Sequence, residues 1–313
     1  MPSTPDTVRG RFVWHELMTT DTKSAAAFFA KVAGWKTQAW DQSPAYTMFM
    51  AGKQPRAGLM LLPDEARAMG ARPHWLSYIG APDVDATARE AKALGATVLK
   101  EATEVPGEGR FVVLRDPQGA VFAAFTPHRS RPPGGPASGL GDFSWHELAT
   151  SDWRAAFEFY QRLFGWEKTD AMEMGPEVGT YQMYGWKGKT LGGMFTKPAS
   201  MPGPPFWLPY IKVADSKNVA AMVPAAGGQV ISGPIEVPGG DWIAQGMDGQ
   251  GAVFAVHSSK PAVKPAAAAK KAAASKPPKK RAAPRKKKPA RKGKPARRTA
   301  ASRRPMKKAR RRR

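Results

Sequence analysis

The chain has 313 residues, 42% of them hydrophobic and 24% charged, with 49 Lys and Arg against 25 Asp and Glu. Cysteine is absent, which excludes disulfide scaffolds, Cys-ligated zinc, iron–sulfur clusters and thiol nucleophiles. The net charge of +24 is polarised: residues 260–313 hold 25 of the bases and no acid, so residues 1–259 are close to neutral.

The length suggests about two domains, and an internal repeat supplies them. Gly10-Arg-Phe-Val-Trp-His-Glu-Leu-Met-Thr-Thr-Asp21 returns as Gly141-Asp-Phe-Ser-Trp-His-Glu-Leu-Ala-Thr-Ser-Asp152, at an offset of 131. Gly34-Trp35 returns as Gly165-Trp166, and Asp116 through Phe122 as Asp248 through Phe254. The reading is an N-terminal segment 1–9, a first copy 10–128, a Pro/Gly-rich linker 129–140, a second copy 141–258 and a basic tail 259–313. In chain order, residues 11–17 read as a strand. Asp21 or Thr20 caps a helix whose Ala25, Phe28, Phe29 and Val32 share one face, and Gly34 ends it. Strands near 45–50, 57–62 and 74–79 follow, then a helix over 83–94 closed by Gly95. Strands near 96–99, 109–115 and 120–126 complete the copy, the last two joined by the turn Asp116-Pro-Gln-Gly119. The second copy repeats the plan, with Pro224 predicted to kink or shorten the helix expected at 215–226. The N-terminus lacks the apolar stretch of a secretory leader, and no run of about 18 apolar residues occurs. A cytoplasmic setting of bacterial style, with nucleoid association through the tail, is the expectation.

The repeated Trp14-His-Glu-Leu with Asp21, the Phe28-Phe29 to Gly34-Trp35 segment and Asp116-Pro-Gln-Gly119-Ala-Val-Phe resemble the vicinal oxygen chelate superfamily. That superfamily includes glyoxalase I, bleomycin-resistance proteins and extradiol dioxygenases. The resemblance covers residues 10–258 and implies an α+β fold: two tandem glyoxalase-like domains, each of two βαβββ modules whose curved sheets surround a cavity. It also implies a His ligand on a first strand, placing His15 and His146 as metal ligands. The family's glutamate on the last strand falls on Ala123 and Ala255, so a three- or four-ligand shell is not filled from these positions. No cofactor is therefore expected, with a divalent metal as the alternative. His15 and His146 read equally as hydrogen-bonded structural histidines. Glu16 and Glu147 need either a polar pocket or a specific partner, because an unpaired buried carboxylate is costly. Trp75, Tyr78, Trp207 and Tyr210, with Met60, Met194 and Tyr181, either line a ligand pocket with these groups or fill the core.

Residues 260–313 combine their 25 bases with 15 Ala and 8 Pro and no aromatic residue. They are too apolar-poor to fold alone, which predicts disorder, and resemble linker-histone tails. A polycation of this density binds phosphates by counterion release, without base stacking. The candidate contacts are Lys270, Lys271, Lys279, Lys280, Arg281, Arg285, Lys286, Lys287, Lys288, Arg291, Lys292, Arg297, Arg298, Arg303, Arg304, Lys307, Lys308, Arg310, Arg311, Arg312 and Arg313. DNA, RNA or polyphosphate fit as partners; a membrane does not, for want of apolar anchors. Three functions remain: a small-molecule-binding protein of this fold without a full metal site and with a nucleic-acid-binding tail, a metal-dependent lyase or dioxygenase, and a nucleoid-associated architectural protein.

Overall fold

The structure, a computed structural model, describes residues 8–128 and 139–259. The tail from residue 260 and most of the expected linker lie outside the described residues. The first repeat runs β1 (Phe12–Thr19), α1 (Thr22–Val32), β2 (Lys36–Trp40), β3 (Ser43–Ala51), β4 (Gln54–Leu61), α2 (Asp64–Ala68), β5 (His74–Gly80), α3 (Val84–Ala93), β6 (Thr97–Val105), β7 (Gly109–Arg115) and β8 (Val121–Pro127). The second runs β9 (Phe143–Thr150), α4 (Trp153–Phe164), β10 (Glu167–Glu173), β11 (Thr180–Trp186), β12 (Lys189–Thr196), β13 (Phe206–Lys212), α5 (Ser216–Met222), β14 (Gln229–Glu236), β15 (Trp242–Met247) and β16 (Val253–Ser258). Each repeat is thus two βαβββ modules joined in one eight-stranded sheet. The orders are β2-β3-β4-β1-β5-β8-β7-β6 and β10-β11-β12-β9-β13-β16-β15-β14.

Local chemistry accounts for the helices. Asp21, Asp83, Asp152 and Asp215 each accept hydrogen bonds from first-turn N–H groups of the helices that follow. Ala25, Phe28, Phe29 and Val32 are the buried residues of α1, the face that the spacing predicts. Pro224 acts as expected: α5 stops at Met222, and a single turn of 3₁₀ helix, Pro224–Ala226, replaces its end. The outer strands β2 and β10 and the short α2 carry no such signal; β2 is almost wholly exposed. Among the described residues no helix is long and apolar enough to cross a membrane.

The two main cores are shared between repeats. One combines Phe28, Phe29 and Trp35 of the first repeat with Ile211, Val219 and Phe254 of the second. The other combines Val112, Leu114 and Phe122 with Phe157, Tyr160 and Trp166. Accordingly α1 packs on α5 and α3 on α4. The contact is reciprocal. Trp35 Nε1 donates to Gly141 O at 3.0 Å, and Trp166 Nε1 donates to Gly10 O at 2.7 Å. A Cβ on Gly10 or Gly141 would overlap the tryptophan each receives.

Candidate functional site

Strand alternation divides the repeated Trp-His-Glu-Leu motif between two faces. In β1, His15 and Leu17 turn toward the partner repeat, while Trp14, Glu16 and Met18 turn to the far face of the sheet. In β9, His146 and Leu148 likewise face inward, and Trp145 and Glu147 face away.

The far face of each sheet holds one carboxyl between two phenols, Glu16 buried and Glu147 half-buried. Tyr78 Oη donates to Glu16 at 2.9 Å, Tyr46 also hydrogen-bonds Glu16, and Trp14 Nε1 donates to Tyr46 Oη at 2.9 Å. In the second repeat Tyr181 Oη and Tyr210 Oη donate to Glu147 at 3.0 and 3.1 Å, and Trp145 Nε1 donates to Tyr181 Oη at 2.8 Å. Gln245 Nε2 adds a 2.8 Å bond to Tyr210 Oη. Glycine makes the arrangement fit. Gly58 lies beside Glu16 and Gly193 beside Glu147, and a Cβ on either would overlap Tyr46 or Tyr181. Burial pushes both carboxyls above the usual range, against the lowering effect of the tyrosine hydrogen bonds. The same burial, reinforced by the adjacent carboxyl, raises Tyr46, Tyr78, Tyr181 and Tyr210, so the phenols remain donors. In each cluster the phenol O–H groups converge on the one carboxyl. A separate cleft of about 440 Å³ is lined by Met60 with Thr19, Leu62, Pro63 and Arg67.

The histidines are not in these clusters, which corrects the expectation that placed them in one pocket with the glutamates. His15 and His146 meet each other where the repeats join, Nε2 to Nε2 at 2.8 Å. Phe143 stacks on His15 and Phe12 on His146, with ring centroids 3.7 and 3.6 Å apart. His146 Nδ1 lies 3.3 Å from the Leu191 carbonyl, which can only accept, so His146 Nε2 receives the proton of His15 Nε2. Burial lowers both pKa values, that of His146 to about 3, and His146 further lowers His15. Trp75, Trp207 and Met194 also belong to the shared cores rather than to the far faces. Their strands alternate, and these positions fall on the inward side. Tyr78, Tyr181, Tyr210 and Met60 do lie on the far faces. Among the described residues no three His, Asp, Glu or Cys side chains gather as a metal shell would. Ala123 and Ala255 pair with Tyr78 and Tyr210, at the positions where the resemblance places a glutamate.

Sequence reasoning missed Tyr46 and Gln245. Tyr46 corresponds to Tyr181 only at an offset of 135, so the match disappears when the copies are aligned at 131 or 132.

The family model described as "Glyoxalase-like domain" matches residues 14–125. The chain is 30% identical over 269 residues to CFP32 of Mycobacterium tuberculosis, which carries a glyoxylase name, across 83% of this chain and 99% of that protein. It is 27% identical over 272 residues to the anthracycline biosynthesis protein DauV of a Streptomyces species, across 83% and 96% of the two chains. Among solved structures, the Mn(II)-bound glyoxalase of Novosphingobium aromaticivorans superposes with a TM-score of 0.54 at 17% identity, over 80% of this chain and 82% of that one. The 2,2',3-trihydroxybiphenyl 1,2-dioxygenase of Sphingomonas wittichii gives 0.58 at 11%, over 80% and 91%. With its paired βαβββ sheets and this relationship along nearly the whole body, the chain belongs to the glyoxalase-like proteins of the vicinal oxygen chelate superfamily.

Proposed function

We propose that this protein binds a small, uncharged, oxygen-bearing aromatic molecule through its far-face clusters, without the full metal site of the superfamily, and holds nucleic acid through its basic tail. The Trp–Tyr–Glu–Tyr cluster, present in both repeats, carries the reading. Each cluster contains a single carboxyl, held toward its neutral form by burial, and an alanine on the last strand. That donor set does not fit a divalent ion, which needs three or four ligands with deprotonated oxygen or neutral imidazole. The histidine pair offers two nitrogens already bonded to each other and no carboxylate. Mn(II) is named for the Novosphingobium neighbour, and one equivalent of metal bound by this chain would restore a lyase or dioxygenase reading.

Elemental analysis of the untagged protein after reconstitution with Mn, Fe, Zn and Ni tests the metal clause; the expected content is far below one equivalent per chain. A thermal-shift screen of phenolic and quinone-like compounds tests the pocket. A hit should weaken in Tyr78→Phe or Tyr210→Phe, and a hit indifferent to both removes these clusters from the site. Deleting residues 260–313 should abolish retention on duplex DNA. In the full chain, affinity should fall with salt on a log–log slope of about −0.9 per phosphate neutralised. Equal DNA binding by the truncated chain would overturn the tail assignment.

A further inference from the structure

The repeats differ most in chemistry at one corner of the far face. The first has Val13, Phe125 and Gly109; at the corresponding offsets of 131 and 132 the second has Ser144, His257 and Asp241. Ser144 sits at a bulge, because β9 pairs Trp145 with Tyr210 and Phe143 with Ile211 and leaves the residue between them out of register. Its Oγ is 2.9 Å from His257 Nδ1, and His257 Nε2 is 2.8 Å from Asp241 Oδ2. The side chains of His257 and Asp241 retain 19% and 37% exposure, so the group is open to solvent at one end.

Hydrogen-bond logic fixes the protons. A carboxylate only accepts, so Asp241 holds the imidazole proton on Nε2. Nδ1 then turns its lone pair on the Ser144 hydroxyl, whose other acceptor, the Tyr210 carbonyl, is more distant at 3.4 Å. This is the nucleophile–base–orienting acid order of serine hydrolases, with the two imidazole nitrogens exchanging roles. The fold does not require it, since the first repeat builds the same sheet with Val13 and Phe125 in these places.

We propose that Ser144, His257 and Asp241 hydrolyse small carboxylic esters, with Ser144 as nucleophile, His257 as general base and Asp241 as the positioning residue. The partly buried Trp145, Phe206 and Ile243, the last paired with His257 across the strands, favour an aryl group. Ser144 Oγ attacks the ester carbonyl carbon while its proton passes to His257 Nδ1. The adduct collapses, the bond to the alcohol oxygen breaks, and the alcohol departs with that proton. Water repeats the sequence on the acyl-serine, releasing the acid and restoring Ser144.

The test uses the full chain and is read without any ligand for Glu147, so it stands or falls apart from the function proposed above. A fluorophosphonate probe should form one adduct on the folded wild-type protein, mapping to the peptide containing Ser144. Ser144→Ala should remove the adduct, and Ser144→Ala and His257→Gln should each lower p-nitrophenyl acetate hydrolysis by about a hundredfold, the scale of lost acid–base assistance. Asp241→Asn should retain labelling at a slower rate and displace the pH–rate profile, which a purely structural role would not do. No adduct at Ser144 in the wild-type chain, or ester turnover unchanged in folded Ser144→Ala, overturns the proposal. Because labelling is read on the wild-type chain, the result does not depend on any variant folding.

Discussion

One hydroxyl separates Phe29 from Tyr160, which occupy equivalent places in the two repeats. Tyr160 Oη donates to Asp116 Oδ2 at 2.9 Å and accepts from Trp207 Nε1 at 3.0 Å. Across the molecule, Asp248 Oδ2 and Trp75 Nε1, the counterparts of Asp116 and Trp207 at an offset of 132, are buried without a hydrogen-bond partner, and Trp75 lies edge-on to the Phe29 ring that lacks the oxygen. Phe29→Tyr should supply both bonds and raise the unfolding free energy by about 1–2 kcal/mol, whereas Tyr160→Phe should lower it by about 2–3 kcal/mol. Urea denaturation of the two variants checks both signs. At this scale the sequence was half legible. The doubled motif exposed Glu16, Glu147, Tyr78 and Tyr210 because the same residues appeared twice. Met60 and Met194, by contrast, stand 134 residues apart where the strands correspond at 135, as Gly58 and Gly193 do. A slip of one residue moves a strand side chain to the opposite face, which is why Met194 lies in the core and Phe195 is the true counterpart of Met60.

Elements announced themselves where a cap or an apolar stripe was needed. The first helix's cap, at Asp21 or Thr20, and the buried face of α1 could be read directly, since only short acceptors serve first-turn N–H groups and only one helix face meets the core; the structure places the cap on Asp21 and adds Asp83 and Asp215 for later helices. β2 and β10 escaped because an outer strand with exposed side chains has no hydrophobic alternation to display. The pairing of β12 with β9 depends on an absence of side chain that reads, in sequence, as an ordinary glycine. Gly193→Ala places a methyl where the Tyr181 ring lies. It should cost about 1–3 kcal/mol and loosen the Tyr181–Glu147 bond, which would appear as a change in near-UV circular dichroism beside a lower urea midpoint.

For the whole molecule, the histidine pair sets a pH dependence. Both rings stay neutral when folded, while an unfolded histidine protonates near pH 6.5. The unfolded state therefore binds more protons below that value. Stability is full above about pH 6.5 and is lost as pH falls toward the folded pKa, about 3 for His146. Each histidine should contribute a slope of about 1.4 kcal/mol per pH unit in that range. In the double variant His15→Gln/His146→Gln the slope of urea stability between pH 6.5 and 5 should flatten, and an unchanged slope would remove the pair as its source.

The exchange of tryptophans between repeats has a consequence for the chain as a thread. Neither half owns a complete interior, since Trp35 closes over Gly141 and Trp166 over Gly10. The chain passes from the first repeat to the second between residues 128 and 139. Cutting the protein there should leave the fragments travelling as one species in gel filtration, and the halves produced as separate polypeptides should find each other. A half-length forebear with a single Gly10-like and a single Trp35-like residue would have had to meet its own twin to become dry inside. This chain carries both twins in one thread, and only one of the two equivalent corners holds a serine, a histidine and an aspartate, where the other has Val13, Phe125 and Gly109.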